Sequence, residues 1–339
     1  MTYKKILVFC IAFTTFMSVG KAQDLHYSQF YNAPLVVNPA LTGIFKGDKR
    51  VSVSLRDQWR SVPVPWFTFT LGYDQKVYLD KNPSLFLGLG GFFNFDQQGD
   101  SRLNLGSLNL SGSISKILSQ KHIITGGLTL GYANKGYNLD DLTWDNQFVN
   151  GSFEPGASGG ENFAFARVGY IETALGFNYR YQKSARTKMD IGVGAWHLTT
   201  PTDQFYNRTD VQELPMRFSI YGIGNVKLVD KIDLEVDLMV QDQASYNEII
   251  FGAYLDFYLN QDRGQEKNLH IGAGYRTSGA IYPKIALEWQ KRFFVAVSYD
   301  IDLSEFNQHT NYRGGPEIHF NYLITDVKPL KPLKVCPIY

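Results

Sequence analysis

Residues 232–241 alternate apolar and polar side chains over almost their whole length, in the run IDLEVDLMVQ. Because successive side chains of a β-strand point to opposite faces, such a strand has one apolar face and one acidic face. Similar alternation recurs from about residue 50 to about residue 325, with no amphipathic helical pattern between the strands. The pattern predicts an all-β fold, and a closed barrel with lipid outside and a polar lumen accounts for all of it.

Alternation and turn signals together predict about fourteen strands, so the expected fold is a transmembrane antiparallel β-barrel over residues 49–325. The predicted strands lie near residues 49–59, 66–78, 85–95, 102–117, 122–134, 166–182, 188–198, 215–228, 231–242, 247–259, 267–276, 280–291, 292–302 and 314–325. Outer-membrane barrels keep both termini in the periplasm and carry their longer loops outside. The long connections at 135–165 and 199–214 then both lie outside, and twelve or sixteen strands would satisfy the same parity.

A soluble two-sheet sandwich or a lipocalin-like barrel is the alternative architecture. Either would need inward faces that are mostly apolar, whereas the faces opposite the apolar ones are rich in charge here. We therefore predict a set of charged residues that line the lumen: Arg180, Asp233, Glu235, Asp237, Arg276 and Glu288. We expect the three acidic residues of strand 231–242 to pair with Arg180, Arg276 or Lys284 on other strands.

The two ends of the chain differ from the barrel between them. Residues 1–22 begin with a short basic region that contains Lys4 and Lys5, followed by an apolar run and small residues near Ala22, which predicts a secretory signal peptide. Residues 23–48 lack sustained alternation, and their two prolines remove backbone donors, so we expect this segment in or under the lumen. It would either contact partners or only fill space as a plug. Residues 326–339 contain three prolines and are predicted to leave the sheet as a periplasmic tail.

Composition and motifs argue against several classes of function, namely nucleic-acid binding, catalysis and metal binding. The formal net charge is +1 and no basic cluster appears, so nucleic acid is not an expected partner. No nucleophile–base pair is recognisable, and the acids of strand 231–242 stand in a row along one strand rather than across a substrate. His270 and His319 lack a third ligand at a recognisable spacing. We therefore expect no enzymatic activity, no cofactor and no metal.

The start of the predicted mature chain carries a distinctive motif. Residues 26–43 read HYSQFYNAPLVVNPALTG, and residues 56–59 read RDQW. This combination resembles the PorP/SprF family of the type IX secretion and gliding-motility machinery. Members open with H-x-S-Q-F-Y-x-x-P-x-x-x-N-P-A-x-x-G shortly before a strand that contains R-x-Q-W. The resemblance extends along the whole mature chain.

The resemblance implies a non-catalytic outer-membrane barrel that works with type IX secretion components. It also implies a partner, an exported adhesin or other cargo protein, which is delivered or anchored through its C-terminal sorting domain. The residues that match the motif are our candidates for partner binding: His26, Ser28, Gln29, Phe30, Tyr31, Pro34, Asn38, Pro39, Arg56, Gln58 and Trp59. A passive channel or a transporter of hydrophobic compounds is the alternative. An open lumen would favour that alternative, and a lumen filled by residues 23–48 or by another chain would favour the scaffold.

Overall fold

The computed structural model of the protein describes residues 24–60, 65–79, 84–99, 102–137, 143–157, 159–160, 167–202, 213–305 and 307–326. The predicted signal peptide, residues 1–22, lies outside these ranges, as does the predicted tail 326–339 apart from its first residue. Both stay predictions. Within the described ranges, no helix is long and apolar enough to cross a membrane.

Fourteen antiparallel strands close into a barrel, which confirms the predicted fold class. They are β1 (Lys49–Gln58), β2 (Trp66–Tyr78), β3 (Leu85–Gln98), β4 (Leu103–Ser119), β5 (His122–Gly136), β6 (Arg167–Gln182), β7 (Lys188–Trp196), β8 (Arg217–Val229), β9 (Ile232–Gln243), β10 (Tyr246–Asn260), β11 (Lys267–Arg276), β12 (Ala280–Trp289), β13 (Phe293–Asp302) and β14 (Arg313–Ile324). Each strand pairs with its neighbours in sequence. β1 closes the ring against β14, from Lys49 opposite Ile324 to Arg56 opposite Glu317.

The two mouths of the barrel differ in the length of their connections. One mouth, which we call the turn rim, carries short turns such as residues 230–231 between β8 and β9. The opposite mouth, the loop rim, carries the long connections 137–166 and 197–216, which lie on one side as predicted. A small hairpin, Phe148–Val149 with Ser152–Phe153, belongs to the first of these connections. Both β1 and β14 have their outer ends, Lys49 and Ile324, at the turn rim.

Strand β9 places its acidic and apolar side chains on opposite faces of the wall. Asp233 and Asp237 are 0% and 4% exposed inside the barrel, whereas Val236 and Leu238 are 39% and 48% exposed outside. The same division recurs around the ring, so the outer surface is an apolar belt. Lipid covers such a belt in an outer-membrane barrel, which explains why large apolar side chains face outward here.

Candidate functional site

Residues 24–48, which we call the plug segment, cross the lumen from the loop rim to the turn rim. At the loop rim, an Asp24 carboxylate oxygen lies 2.7 Å from Arg217 Nη1. At the turn rim, the Asp48 N–H donates to the carbonyl of the last residue of β14. The described chain therefore begins at one mouth and ends, at Asp326, at the other. The prediction that both termini are periplasmic stays a prediction, since residues 1–23 and 327–339 lie outside the described residues.

The plug segment is made of three short helical turns: Phe30–Asn32, Pro34–Val37 and Pro39–Leu41. Pro34 and Pro39 each occupy the first position of a turn, where a missing N–H costs no helical hydrogen bond. The Asn38 side chain accepts a hydrogen bond from the Ala40 N–H and caps the third turn. The prolines that exclude a ladder strand thus fix a compact, helical path through the lumen.

Apolar side chains of the plug segment form the core of the barrel with inward-facing wall residues. The plug contributes Phe30, Val37, Leu41 and Ile44, and the wall contributes Phe86, Tyr221, Met239, Ile250 and Tyr282. A second cluster joins plug residues such as Leu35 to Phe92 and Trp196. Each fully buried large apolar side chain stabilises a fold by about 1.5–3 kcal/mol. The plug segment is therefore an integral part of the folded barrel.

Five charged wall residues, which we call the loop-end cluster, surround the start of the plug segment: Arg56, Glu248, Arg276, Asp300 and Glu317. The N–H groups of Ser28 and Gln29 both donate to the Glu317 carboxylate, at 2.8 and 2.7 Å. The Ser28 hydroxyl lies 2.9 Å from both carboxylate oxygens of Asp300. Because these carboxylates are buried, they need such donors, and the plug segment supplies several of them.

The arginines of the loop-end cluster complete the same network. Arg56 Nη2 lies 2.6 Å from an Asp300 carboxylate oxygen and Arg276 Nη2 lies 2.6 Å from Glu248. Arg276 also donates to the Ser28 hydroxyl at 3.1 Å, and Arg56 donates to a plug carbonyl, that of His26, at 2.9 Å. Charge-assisted hydrogen bonds of this kind are roughly twice as strong as neutral ones. The cluster therefore holds the plug and the wall as one unit.

Asn38 fixes the middle of the plug segment to the opposite wall. Its Nδ2 donates to two wall carbonyl groups, at 3.0 and 2.9 Å. Two wall glycines allow this close approach. A Cβ atom on Gly176 would lie 1.7 Å from Asn38 Oδ1, and one on Gly127 would lie 2.4 Å from the Pro39 carbonyl carbon. A residue without a side chain is required at both wall positions.

Two titratable groups at the start of the plug segment have shifted pKa values. Burial alone would raise the pKa of Asp24, but Arg217 and His197 more than offset burial and hold that pKa well below its usual range. Burial, together with the nearby Arg276 and Arg56, lowers the pKa of His26 to about 3. At neutral pH, Asp24 is therefore ionised and His26 is neutral.

A cavity of about 210 Å³ opens between the plug segment and the loop rim. Its wall combines aromatic and polar residues, among them His26, Gln58, Trp59, Trp66 and Tyr246. Trp59 and Trp66 meet edge to face with ring centroids 5.4 Å apart. Three other cavities against the plug segment measure about 10–30 Å³, room for a few water molecules at most.

A second charged group, the turn-end cluster, lies in the half of the lumen near the turn rim and consists of Arg186, Asp233, Glu235, Asp256 and His270. Arg186 lies 2.6 Å from Asp233, and the Tyr258 hydroxyl donates to the same carboxylate at 2.8 Å. His270 lies 3.2 Å from Glu235. These contacts join one wall residue to another, so they stabilise the wall without holding the plug segment.

The structure divides the predicted partner-binding residues into two groups. Eight are buried against the wall or core or bonded to wall residues: Ser28, Gln29, Phe30, Tyr31, Pro34, Asn38, Pro39 and Arg56. Tyr31, for example, receives a hydrogen bond from Lys284 Nζ at 2.7 Å. The remaining three, His26, Gln58 and Trp59, line the cavity at the loop rim. The second group is therefore the part of the predicted set that lies nearest the loop rim.

The residues predicted to line the lumen all lie on inward faces, but their expected pairing is only partly found. Arg180 pairs with Asp190 at 2.8 Å, and Arg276 belongs to the loop-end cluster. Of the three expected bases, only Lys284 lies near the acidic row, 3.9 Å from Glu235. Strand tilt and the barrel's curvature decide which side chains meet, and alternation carries no information about either.

Two more of the predicted lumen residues have other surroundings. Glu288 accepts a hydrogen bond from Asn268 at 3.0 Å. Asp237 is buried beside the Tyr254 side chain.

The sequence interpretation missed residues that hold the plug segment, notably Asp24, Arg217, Glu248 and Asp300. A usable signal existed for Asp300, because Ser298, Asp300 and Asp302 alternate with apolar neighbours along β13. For Asp24 no such signal exists, since it precedes the first strand and reaches Arg217 across 193 residues of chain.

Comparison with solved structures supports the membrane-barrel fold. The chain is similar to a Pseudomonas aeruginosa FadL homologue, with a TM-score of 0.50 and 10% identity over 84% of this chain and 92% of that one. It is also similar to the Ralstonia pickettii toluene transporter TbuX, with a TM-score of 0.49 and 11% identity over 90% of this chain and 96% of that one. At these identities the likeness concerns the fold alone. No curated protein matched the chain.

A family model decides the identity. The model described as type IX secretion system membrane protein PorP/SprF matches residues 19–322, which include the plug segment and nearly the whole barrel. The family and the barrel fold together indicate the outer membrane. The chain therefore belongs to the PorP/SprF family of type IX secretion system membrane proteins.

Proposed function

We propose that this protein is a non-enzymatic scaffold of the type IX secretion machinery, which binds an exported adhesin or other cargo protein through the cargo's C-terminal sorting domain. The cargo would dock on the loop rim, which we place outside the cell, with the turn rim and Asp326 in the periplasm. Outer-membrane barrels carry their long loops outside, and the family assigns the barrel to secretion.

The filled lumen is the observation that carries this proposal. The plug segment crosses the whole barrel, packs its apolar side chains into the core, and is bonded to the wall at its start, middle and end. Opening a path for solutes would break buried charge-assisted hydrogen bonds, each worth about 1.5–3 kcal/mol. A barrel filled in this way suits a protein that acts through its surface.

Transport of hydrophobic compounds is the second candidate, and its support is the barrel fold shared with the FadL homologue. The chemistry beneath the loop rim argues against it. The cavity there is bordered by charged residues, including Arg276, Asp300 and Asp302. A hydrophobic molecule that entered there would lie against charged groups without compensating their charge, which is unfavourable.

Gentle detergent extraction from the native outer membrane, followed by mass spectrometry of everything that stays bound, tests the proposal. A scaffold is expected to come out with a large exported protein or a secretion component in stoichiometric amount. The extracted barrel should not conduct ions in planar bilayers. A barrel that comes out alone and conducts would overturn the scaffold and support transport.

A further inference from the structure

The cavity at the loop rim has a surplus of negative charge around it. Two guanidinium groups, those of Arg56 and Arg276, face four carboxylates in this region, those of Glu248, Asp300, Asp302 and Glu317. His26, on the plug side of the cavity, is neutral at neutral pH because burial and the two arginines lower its pKa to about 3. His26 therefore adds no positive charge to the cavity at neutral pH.

Asp302 is the carboxylate of this group that has no basic partner among the described residues. It is 4% exposed and lines the cavity. Its oxygens accept hydrogen bonds only from neutral donors, at 2.9 Å from the Ser304 N–H, 2.6 Å from the Ser304 hydroxyl and 3.0 Å from the Thr310 hydroxyl. Neutral donors fix the direction of the carboxylate but do not neutralise its charge.

Arg276 does not neutralise the cavity, although it contributes to its wall. Its guanidinium is turned toward Glu248, Ser28 and Asp300, at 2.6, 3.1 and 3.4 Å. Its donors are therefore directed into the wall and the plug segment. Asp302, the last residue of β13, lies at the edge of the cavity with no basic partner among the described residues.

Aromatic and polar groups complete a site for an organic cation. Trp59 and Trp66 lie on the loop-rim side of the cavity, and tryptophan faces attract cations more strongly than other aromatic rings. The Tyr246 hydroxyl is shielded from solvent in the same wall. It can accept a hydrogen bond from an ammonium or guanidinium group. A volume of about 210 Å³ far exceeds the about 10–15 Å³ that one water needs.

We infer that this cavity binds the basic side chain, arginine or lysine, of a polypeptide that docks on the loop rim. Asp302 supplies the counter-charge, Trp59 and Trp66 supply the aromatic faces, and Gln58 and Tyr246 supply neutral polar contacts. Only the identification of this polypeptide as the exported cargo rests on the proposed function. Binding of the side chain itself is a property of the cavity.

Calorimetric titration of the purified full-length barrel in detergent tests this site. The probe is an acetylated and amidated glycine–arginine–glycine tripeptide. Its matched control carries citrulline, which has the shape of arginine without the charge. The arginine peptide should bind about tenfold or more tightly than the citrulline peptide, and added salt should weaken it. Equal binding of the two peptides, or no binding of either, overturns the inference.

Variants locate the binding to the cavity. Asp302→Asn and Trp66→Leu should each weaken binding of the arginine peptide about tenfold, whereas Asp262→Asn, in an exposed turn at the opposite rim, should leave it unchanged. Trp66→Leu leaves the carboxylates intact. It therefore tests whether the peptide binds in the cavity even if Asp302→Asn does not fold. Unchanged binding in a folded variant of either kind overturns the assignment.

A third probe tests whether the cavity prefers the cationic group of a polypeptide or that of a lipid head. Ethanolamine, the cationic group of a common lipid head, should bind more weakly than the arginine peptide, and tighter binding of ethanolamine overturns the polypeptide source. Cargo retention on the wild-type barrel is measured separately. A barrel that retains cargo but ignores the peptide refutes the cavity site alone, and a barrel that binds the peptide but retains no cargo refutes the proposed function alone.

Discussion

The loop-end and turn-end clusters use the same kinds of charged residue in different ways. In the loop-end cluster, Glu317 and Asp300 accept hydrogen bonds from the plug segment, and Arg56 and Arg276 donate to it. In the turn-end cluster, the bonds join residues of the wall to one another, as between Arg186 and Asp233. The first cluster bonds directly to the plug segment, whereas the bonds of the second join wall residues, one of which, Glu235, lies 3.9 Å from the Lys284 that donates to Tyr31 of the plug segment.

The two clusters also differ in how easily water can replace a lost partner. Arg56, Asp300 and Glu317 have side chains at most 2% exposed, so a lost partner leaves a buried charge without compensation. The Arg186 side chain is 22% exposed at the turn rim, so water can replace a lost partner there. Equivalent substitutions in the two clusters should therefore differ both in their energetic cost and in what happens to the plug segment.

The largest effect is expected for Glu317→Gln in the loop-end cluster. The substitution keeps the size of the side chain, removes its charge, and turns an amide N–H₂ toward groups that are themselves donors. We expect the free energy of unfolding to fall by about 3–5 kcal/mol, the usual cost of breaking a buried charge network. Urea unfolding of the barrel in lipid vesicles measures this cost, and hydrogen exchange of residues 24–32 should become faster.

A matched substitution checks that the effect belongs to the cluster. Glu305→Gln removes the same charge from an exposed residue at the loop rim and should cost less than about 1 kcal/mol. If Glu317→Gln unfolds at the same urea concentration as Glu305→Gln, the coupling of plug and wall through Glu317 is refuted.

Adjacent glycines of β5 allow a steric test of the plug contact. Gly127→Ala places a Cβ 2.4 Å from the Pro39 carbonyl carbon, whereas a Cβ on Gly126 meets nothing within 4 Å. Because the clash is with backbone, Gly127→Ala should cost about 1–3 kcal/mol and loosen the plug segment. Gly126→Ala should be neutral or slightly stabilising. Urea unfolding and hydrogen exchange of residues 36–42 compare the two variants, and equal behaviour would refute the close approach.

Neutral His26 allows a test by pH. Its pKa is about 3 in the folded barrel and about 6.5 when unfolded, so between these values only the unfolded state binds the proton. Stability is therefore lost as the pH falls, by at most about 2 kcal/mol between pH 7 and pH 5. Asp24 stays ionised in both states over this range and contributes nothing.

The comparison of wild type with His26→Gln isolates this contribution from that of other titrating groups. The variant should lose about 2 kcal/mol less than the wild type when the pH is lowered from 7 to 5. Unfolding in urea at the two pH values gives the difference. If both proteins lose the same stability, His26 is protonated in the folded barrel and the cavity is more positive than inferred.

Much of the fold could be predicted because alternation and turn residues mark the same boundaries. The strands predicted at 66–78 and 267–276 agree with β2 and β11 to the residue. The third strand was predicted to end near residue 95, but β3 continues to Gln98. Asp96 and Gln98 resemble turn residues, yet in a polar lumen they simply continue the inward face, where Asp96 accepts a hydrogen bond from Thr68. Polarity therefore does not end a strand in such a barrel.

The candidate site could be predicted only in part. The motif of residues 26–43 identified the plug segment, and its prolines excluded a ladder strand. The wall residues that bind this segment could not be predicted from the sequence, because Ser28 contacts Glu317 across 289 residues of chain. Such contacts depend on how deep in the lumen each plug residue lies and on which strand lies next to it. The sequence supplies the charges of both clusters, and the path of the plug segment decides which cluster it touches.

The smallest effect is expected for Asp233→Asn in the turn-end cluster. This substitution tests whether a change in that cluster leaves the plug segment unaffected. Asn keeps an acceptor for the Tyr258 hydroxyl, and water can solvate the Arg186 side chain that loses its partner. We expect a cost of about 1 kcal/mol or less. Hydrogen exchange of residues 24–32 should be unchanged, because no bond of Asp233 reaches the plug segment among the described residues. Faster exchange there would mean that the two clusters are coupled through the wall, and that the plug segment is held by the whole barrel rather than by its loop-end cluster.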